Sequence, residues 1–334
     1  MSCGYIAGHN SHITSGQNFI FLGLAACNSA YLARLYQGQL QFCYMPTETK
    51  KTSIFHRAAH ALGWTRHSYY LLSGFVLLCG LIVYAWWPLA EDLLAYIDWH
   101  GPWWLYFDWL LVAIWLVMSL LIMAGADLKL DAWIIFVGFV GGLVIESWGT
   151  QTEIWWYYTD ERPPLWIIPA WPIASLSIDR LVRLLRHGVQ VTTTETKDHP
   201  GKSFVPIRIS SWLFKSSYWL IFLAFFALML YFVWPTLDKS FTILSLILVA
   251  LLILTPTDHR VAVLTFIAGS ALGYFLELWG TTRQCWTYYT LETPPLFAVL
   301  AHGMAAVAFW RTVLVLQRFT KMILSKDSER LPAS

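Results

Sequence analysis

A twenty-residue stretch occurs twice in this chain, and this repetition constrains the fold more than any other feature of the sequence. The first copy runs from Glu146 to Leu165 and the second from Glu277 to Leu296, 131 residues further on, with twelve of the twenty positions identical. Other residues align at the same spacing without a gap: Asp127 with Asp258, Gly138 with Gly269, Gly142 with Gly273, and Arg180 with Arg311. Because self-similarity at a fixed period is typical of repeated structural units, the sequence predicts a duplicated fold.

The sequence around both copies is too apolar for a soluble protein. Of the 334 residues, 57% are hydrophobic and 13% are charged, against roughly 25% charged in an ordinary soluble domain. A helix needs about 20 apolar residues to cross a hydrocarbon core of roughly 30 Å. Runs such as 109–125 are apolar on every side, unlike the alternating strands of a membrane β-barrel. Length and hydropathy predict eight membrane-spanning helices, at about 68–87, 107–124, 131–149, 164–184, 217–234, 240–255, 260–280 and 295–317.

These segments divide into two groups of four, so we predict an all-α membrane protein built from two tandem four-helix repeats. An even number of spans gives both repeats the same orientation, related by a pseudo-twofold axis along the membrane normal. Basic residues concentrate before the first span, in the central connection and at the C-terminus, whereas the intervening loops are acidic. The positive-inside rule therefore places both termini and the central connection in the cytoplasm of a protein of the cell inner (plasma) membrane.

The predicted organisation has five segments: a cytoplasmic N-terminal extension (1–66), the first repeat (67–187), a cytoplasmic linker (188–215), the second repeat (216–320) and a polar tail (321–334). Residues 1–44 lack a clear period and precede Met45, so we interpret them as an extension outside the fold or as a start assigned too early. A lipoprotein signal ending at Cys27 is not expected, because residues 1–17 contain no Lys or Arg.

Each copy places one glutamate in line with two glycines. Gly138, Gly142 and Glu146 follow one another at i, i+4 and i+8, and Glu277 has the same two glycine neighbours. Such a glycine stripe lets another helix approach closely, so the glutamates should face protein rather than lipid. An ionisable group at mid-helix in a membrane costs roughly 2.5 to 3.5 kcal/mol, which makes both glutamates candidate catalytic residues. The alternative interpretation is that each glutamate ties its helix end to a tyrosine or a loop amide.

Aromatic residues follow each glutamate in the same order, and paired prolines then open the next helix. Trp and Tyr occur at the headgroup level of any membrane protein, which is the alternative interpretation of each one singly. Their repeated order predicts instead an aromatic-walled re-entrant loop on the non-cytoplasmic side. The candidate substrate-binding residues are Trp148, Trp155, Tyr157, Tyr158, Trp171, Trp279, Trp286, Tyr288 and Tyr289.

The two copies differ at positions where one of them could be specialised. The differences are Trp171 against His302, Thr152 against Arg283, Asp131 against Ala262, and Asp179 against Trp310. His302 is a third candidate catalytic residue because imidazole titrates near neutral pH, and the alternative is a histidine satisfied in the packing. On the cytoplasmic side, Asp127 and the run 258–260 are interpreted as helix-start caps and ion pairs.

The residue types of the repeated stretch favour proton transfer to an apolar substrate. A carboxylic acid in a low-dielectric pocket can deliver a proton, and aromatic faces can stabilise a developing cation. Together these groups favour protonation of an alkene or polyene, followed by water addition or rearrangement.

Part of the first copy resembles a known signature. It consists of Glu146, Gly149, Thr152, Tyr157, Tyr158, Thr159, Pro164 and the residues 168–171 with the sequence IPAW. This set is similar to the signature of integral-membrane carotenoid hydratases of the bisanhydrobacterioruberin hydratase type, over about 26 residues. The resemblance implies a lyase of carotenoid biosynthesis that adds water to a terminal isoprenoid double bond.

Three kinds of function are compatible with the sequence. The first is an enzyme whose partner is a membrane lipid or isoprenoid substrate. The second is a small-solute or ion transporter or channel in which the carboxylates carry protons or cations. The third is a non-catalytic membrane subunit whose aromatic outer surface docks on another membrane protein.

Several other classes are not expected. The chain has no phosphate-binding GxxxxGK, GxGxxG, HExxH or GxSxG motif, so no nucleotide is expected. Its basic residues form no single patch, which disfavours nucleic-acid binding. Its five cysteines have no CxxC and no metal-like spacing against histidine, so we expect no disulfide framework, metal site or other cofactor.

Overall fold

The computed structural model of the chain describes Ala59, residues 63–191 and residues 207–330. Residues 1–44, with Cys27, lie outside the described residues, as do the middle of the predicted linker and the last four residues of the predicted tail.

The described part of the chain is mostly α-helical. Its nine α-helices are α1 (Arg66–Ala85), α2 (Trp87–Tyr96), α3 (Trp109–Met123), α4 (Leu128–Gln151), α5 (Ala170–Gly188), α6 (Ser211–Val233), α7 (Ser240–Leu254), α8 (His259–Thr282) and α9 (Leu296–Arg330). Four short strands are also present: β1 (Trp155–Tyr157), β2 (Val189–Val191), β3 (Ile207–Ile209) and β4 (Trp286–Tyr288). Two 3-10 helices, Trp103–Tyr106 and Trp234–Thr236, precede α3 and α7.

Each of the eight predicted spans coincides with one helix, and α2 is an additional helix that the hydropathy pattern did not predict. In the described part of the chain, five segments are long and apolar enough to cross a membrane: Arg66–Ala85, Leu128–Gln151, Ser211–Thr236, His259–Thr282 and Leu296–Ile323. Together they indicate a multi-pass membrane protein, and the all-α class is confirmed for the described residues.

Of the eight helices at predicted spans, the other three do not meet that criterion. Two of them, α3 and α7, are apolar but have 15 residues each, which at about 1.5 Å per residue is short of a hydrocarbon core of roughly 30 Å. The third, α5, carries Asp179, Arg180 and Arg183 in its second half. The predicted span at 164–184 is therefore a partly charged helix that starts later, at Ala170.

Aspartates begin three of the helices, as the cap interpretation predicted for two of them. Asp127 accepts a hydrogen bond from the backbone N of Lys129 at 3.0 Å, and Asp258 accepts one from Val261 N at 3.0 Å. Asp108 caps α3 in the same way through Leu111 N. A carboxylate at this position satisfies an otherwise unpaired N–H and interacts favourably with the helix dipole.

The two stretches that follow the glutamates meet in space. Strands β1 and β4 pair antiparallel, with Trp155 opposite Tyr288, Trp156 opposite Thr287, and Tyr157 opposite Trp286. The predicted re-entrant loops are therefore joined into one small sheet. The sequence did not predict these strands, because three residues on each side are too few to distinguish from loop. A second short pair, β2 with β3, is parallel.

Small residues let the central helices pack closely, as the glycine stripe predicted. A Cβ added at Gly138 would lie 2.9 Å from the Cα of Pro172 in α5, and one at Gly269 would lie 2.9 Å from the Cα of Gly303 in α9. Both distances are shorter than real side chains tolerate, so each glycine is required by a neighbouring backbone. These contacts bring α5 against α4 and α9 against α8.

A buried ion pair links the N-terminal end of α4 to α5. Arg180 Nη2 lies 2.7 Å from Asp131 Oδ2, and the two side chains are 2% and 0% exposed. Ala262 replaces the aspartate in α8. The arginine that corresponds to Arg180, Arg311, instead donates to the Leu252 carbonyl and to other groups at the end of α7.

Candidate functional site

Glu146 lies in the last turns of α4 and is 3% exposed. Its Oε2 accepts a hydrogen bond from Trp155 Nε1 at 3.1 Å. Its Oε1 accepts from Tyr157 Oη at 3.0 Å and from Trp171 Nε1 at 3.0 Å. The three donors come from β1 and from the start of α5, so two chain segments hold the carboxylate in one orientation.

Glu277 occupies the equivalent place near the end of α8 and is also 3% exposed. Its Oε2 accepts from Trp286 Nε1 at 2.9 Å, and its Oε1 accepts from Tyr288 Oη at 2.9 Å. The third partner differs, because His302 Nε2 lies 2.9 Å from Glu277 Oε1. Both glutamates are buried in protein, as the glycine stripes predicted. Each also contacts a tyrosine of the following strand, which is the contact that the alternative interpretation, a tie of the helix end, expected.

Glycines give the rings access to the carboxylates. A Cβ added at Gly149 would lie 1.8 Å from Trp155 Cη2, and one at Gly280 would lie 2.0 Å from Trp286 Cζ2. Each indole therefore lies directly on the helix backbone, where its N–H can reach the glutamate one turn earlier. One turn further back, Gly142 and Gly273 make the same room for Trp171 and His302.

Trp155, Tyr157 and Trp171 form a cage around Glu146, and Trp286, Tyr288 and His302 form a second cage around Glu277. The pairing of β1 with β4 brings the two cages into contact. The ring of Trp155, which binds Glu146, lies 5.8 Å from that of Tyr288, which binds Glu277. Tyr157 and Trp286 make the converse contact at 5.9 Å. Both contacts are tilted rather than parallel, as aromatic pairs prefer.

The third partners of the two glutamates also touch. The rings of Trp171 and His302 are stacked, with centroids 5.6 Å apart and an interplanar angle of 18°. The residues of the two cages thus form one continuous aromatic cluster around two carboxylates. Among the partners of the two glutamates, the imidazole of His302 can either donate or accept a hydrogen bond, whereas an indole N–H can only donate.

The two phenols remain protonated in this environment. Burial, and next the charge of Glu146, raise the pKa of Tyr157 well above its ordinary value. Burial and then the charge of Glu277 do the same for the pKa of Tyr288. Each hydroxyl therefore acts as a fixed donor to its glutamate.

A cavity of about 580 Å³ lies against this cluster. Both glutamates, Trp171 and His302 line one end of it. The rest of its wall is formed mostly by apolar side chains of α4, α7 and α9, with Leu316 on α9 among the residues farthest from His302. Ligand sites of this kind are largely apolar, with a few polar groups that fix the orientation of the ligand.

Two of the predicted substrate-binding residues, Tyr158 and Tyr289, make contacts outside the cavity. Tyr158 donates to the Ala85 carbonyl at the end of α1, and Tyr289 donates to the Phe232 carbonyl near the end of α6, both at 2.6 Å. Neither tyrosine lines the described cavity. We interpret both hydroxyls as anchors of the loop to the preceding helices.

The tryptophans that follow the glutamates tie the two halves together crosswise. Trp148 lines the cavity and donates to Thr242 at the start of α7 at 3.3 Å. Trp279 donates to Asp108 at the start of α3 at 2.8 Å, and the same carboxylate accepts two bonds from Arg283. Trp279 lies outside the cavity lining and stacks on Trp86 with ring centroids 5.1 Å apart.

The sequence comparison missed some residues of the site. Trp166 packs edge-on against Tyr157 with ring centroids 5.5 Å apart, and Phe309 does the same to Trp171 at 6.0 Å. Phe297 stands at the position in the second copy that matches Trp166, and Ile178 at the one in the first copy that matches Phe309. Since neither residue is repeated, the internal alignment carried no signal for them.

Within residues 63–191 and 207–330, no group of three or more His, Cys, Asp or Glu side chains is close enough to hold a metal ion. Cys285 is buried, and burial raises the pKa of its thiol to about 12, so this thiol is not a reactive nucleophile.

No family model matches the chain, and no curated protein or solved structure matches it. The resemblance to the carotenoid hydratases therefore remains a prediction from the residues of the repeated stretch.

Proposed function

We propose that this protein is an intramembrane enzyme that uses acid–base chemistry to add water to a double bond of an isoprenoid or related lipid. The observation that carries the proposal is the pairing of Glu277 with His302 at one end of a long apolar cavity. A carboxyl group and an imidazole joined by a hydrogen bond can exchange a proton. The apolar wall fits a hydrocarbon substrate. Because this wall has few polar groups, it offers few other acceptors for the proton that the pair carries.

The proposed reaction conserves atoms and charge. The acid form of Glu277 transfers its proton to the less substituted carbon of the double bond, whose π electrons form the new C–H bond. The adjacent carbon becomes a cation, which the oxygen of a water molecule attacks. That water loses one proton to His302, which returns it to Glu277 across the 2.9 Å contact, so one water has been added and the enzyme is unchanged.

The other cage supplies electrostatic support for the cation. Glu146 is held by three neutral donors and has no imidazole partner, so its proposed role is to hold the rings of its cage in place beside the reaction. The faces of Trp155, Trp171 and Trp286 line the same cavity. Aromatic faces attract cations, so these rings would stabilise the cation of the proposed reaction.

The proposal includes the finer architecture. We infer two like-oriented four-helix repeats with eight spans in the inner (plasma) membrane and with both termini cytoplasmic. Equivalent contacts at the glutamates, 131 residues apart, support the repeats. The basic residues that flank the first, central and last segments support the orientation.

Lipid analysis of cells that express the protein tests the proposal. We expect a lipid heavier by one water in cells with the unmodified protein, and a loss of about 10²-fold or more in that product for Glu277→Gln and for His302→Gln. Glu292→Gln is the matched control, because Glu292 is an exposed carboxylate of the loop that follows Glu277.

Each alternative function gives a different result. Full product formation by both variants would contradict the assigned roles. Saturable uptake of a solute into proteoliposomes that depends on Glu277, without any lipid product, would identify a transporter. Purification in a fixed ratio with another membrane protein, with both variants functional in cells, would identify a non-catalytic subunit.

A further inference from the structure

Helices α3 and α7 occupy corresponding positions in the two halves of the sequence but pack differently. They have 15 residues each, and their first residues, Trp109 and Ser240, are 131 positions apart. In the first half, α3 packs against α1, α5 and α8. In the second half, the main helical neighbour of α7 is α6. By equivalence with α3, α7 would be expected to pack on α9 and α4, and the cavity occupies that place.

Polar contacts fasten α7 at its two ends. At the outer end, Thr242 accepts from Trp148 and shares a hydrogen bond with Thr236. At the other end, Arg311 of α9 donates to the Leu252 carbonyl and to Thr255. Between these ends, side chains such as Leu248 face the cavity rather than a neighbouring helix. Helix α7 is therefore attached at both ends, and its middle is separated from α4 and α9 by the cavity.

The border of this gap is apolar and exposed. Phe136, Val140 and Val144 lie at i, i+4 and i+8 on one face of α4, and all three line the cavity. They are 55%, 44% and 58% exposed, and Leu248 across the gap is 54% exposed. Side chains of this type continue the outer apolar surface of a membrane protein into the cavity, so the cavity is open to the bilayer on that side.

We propose that the gap between α7 and the α4 and α9 pair is a lateral entrance through which a single-chain membrane lipid reaches the site from the bilayer. The occupant is an isoprenoid or similar molecule with one extended hydrocarbon chain. Its reactive end lies at Glu277 and His302, and its chain runs along α9 toward the opposite face. The identification of the lipid as an isoprenoid rests on the proposed function, whereas the entrance does not.

The dimensions of the cavity agree with such an occupant. From His302 to Leu316, both of which line it, α9 rises about 21 Å at roughly 1.5 Å per residue. Half of a hydrocarbon core is about 15 Å, so a chain that begins near the outer helix ends would reach past the midplane of the bilayer. A small hydrophilic solute would leave this length of apolar wall without a partner.

Photolabelling in vesicles tests the entrance. The probe is a prenyl alcohol that carries a diazirine, dissolved in phosphatidylcholine vesicles that contain the full chain. We expect adducts on the cavity faces of α4, α7 and α9, and several-fold less labelling there in Val140→Trp and Leu248→Trp, whose added ring volume narrows the gap.

The repeat offers matched controls. Ala271 and Val117 occupy the positions equivalent to Val140 and Leu248, and both are exposed but do not line the described cavity. Ala271→Trp and Val117→Trp should label like the unmodified protein. Equal labelling of all four variants, or adducts spread evenly over the outer surface, would overturn the proposal.

Two separate measurements distinguish the entrance from the chemistry, because labelling reports access to the cavity and the lipid product reports the reaction. A protein that labels at the cavity but makes no hydrated lipid would thus retain the entrance and refute the proposed reaction. A protein that makes product with equal labelling in the four tryptophan variants would do the reverse.

Discussion

At the scale of single residues, the two cages differ mainly in one side chain. Trp171 and His302 stand at the same position of the two copies, contact the corresponding glutamate at 3.0 and 2.9 Å, and stack on each other. An indole N–H can only donate, whereas an imidazole can donate or accept. In the proposed reaction, this difference is the reason that proton transfer is placed at the Glu277 cage and a fixed orientation at Glu146.

Exchange of these two residues tests that assignment. We expect His302→Trp to fold, because Gly273 leaves space for the ring as Gly142 does for Trp171. Its indole would hold Glu277 as the other cage holds Glu146, so the rate of product formation should fall by about 10² or more, the usual contribution of a general acid or base. The measurement is initial rate against pH in vesicles.

Trp171→His is the matched reverse change. It keeps the Glu277 and His302 pair and should retain product formation, with a pH profile altered by the second imidazole. Equal rates for His302→Trp and the unmodified protein across the pH range would contradict the proton-transfer role of His302.

Gly280 illustrates a requirement of a different kind. In Gly280→Ala the added methyl group would occupy the place of the Trp286 ring, since a Cβ at this position lies only 2.0 Å from Trp286 Cζ2. Overpacking of this kind costs about 1 to 3 kcal/mol. We expect a lower midpoint of thermal unfolding in detergent, together with loss of product, because the indole can no longer reach Glu277.

Gly74→Ala is the control for this change. A Cβ at Gly74 in α1 meets nothing within 4 Å, so the only effect there is the gain of about 0.5 to 1 kcal/mol for alanine in a helix. If both variants unfolded at the same temperature, the packing of the indole on Gly280 would not be as described.

At the scale of elements, the sequence predicted the helices better than their contacts. Apolar length located a helix at each of the eight predicted positions, five of them in segments long enough to cross a membrane, and the aspartate caps located the starts of α4 and α8. The pairing of β1 with β4 could not be predicted, because backbone hydrogen bonds between segments 131 residues apart leave no trace in local periodicity. The aromatic residues around each glutamate could be predicted only because the same order of residues occurs twice in the sequence.

The buried ion pair between α4 and α5 has no equivalent in the other half, so its removal tests how much it stabilises the first half. Loss of one partner from a buried pair typically costs about 3 to 5 kcal/mol. In Asp131→Ala, Arg180 would keep only its 2.6 Å contact with the less buried Asp179, so this variant should unfold at a clearly lower temperature. Differential scanning calorimetry in detergent measures this.

An exposed ion pair serves as the comparison. Glu153 and Arg162 bind at 2.8 Å, but their side chains are 69% and 46% exposed. Solvent screens such pairs, so Glu153→Gln should leave the unfolding temperature unchanged. A similar temperature for Asp131→Ala and Glu153→Gln would show that the buried pair does not stabilise α4 and α5.

At the scale of the whole molecule, the site exists only where the two halves meet. Each glutamate is held by its own half, yet the rings that bind it pack on the rings of the other half through β1 and β4. The crosswise bonds of Trp148 and Trp279 add two further ties between the halves. The duplicated stretch therefore encodes an interface as well as two cages.

A disulfide across β1 and β4 tests this interface. Trp156 and Thr287 are opposite each other at the centre of the strand pair, and directly opposite residues lie about 5.5 Å apart or less between Cα atoms, within the range that a disulfide spans. We expect the double variant Trp156→Cys and Thr287→Cys to form the bond under mild oxidation, as shown by peptide mapping with mass spectrometry. Product formation should persist, because neither side chain contacts a glutamate.

Each single cysteine variant is the control and should yield no such linked peptide. Failure of the double variant to cross-link while it remains folded and active would mean that the two halves do not meet at these strands, and the shared site would then have to be abandoned.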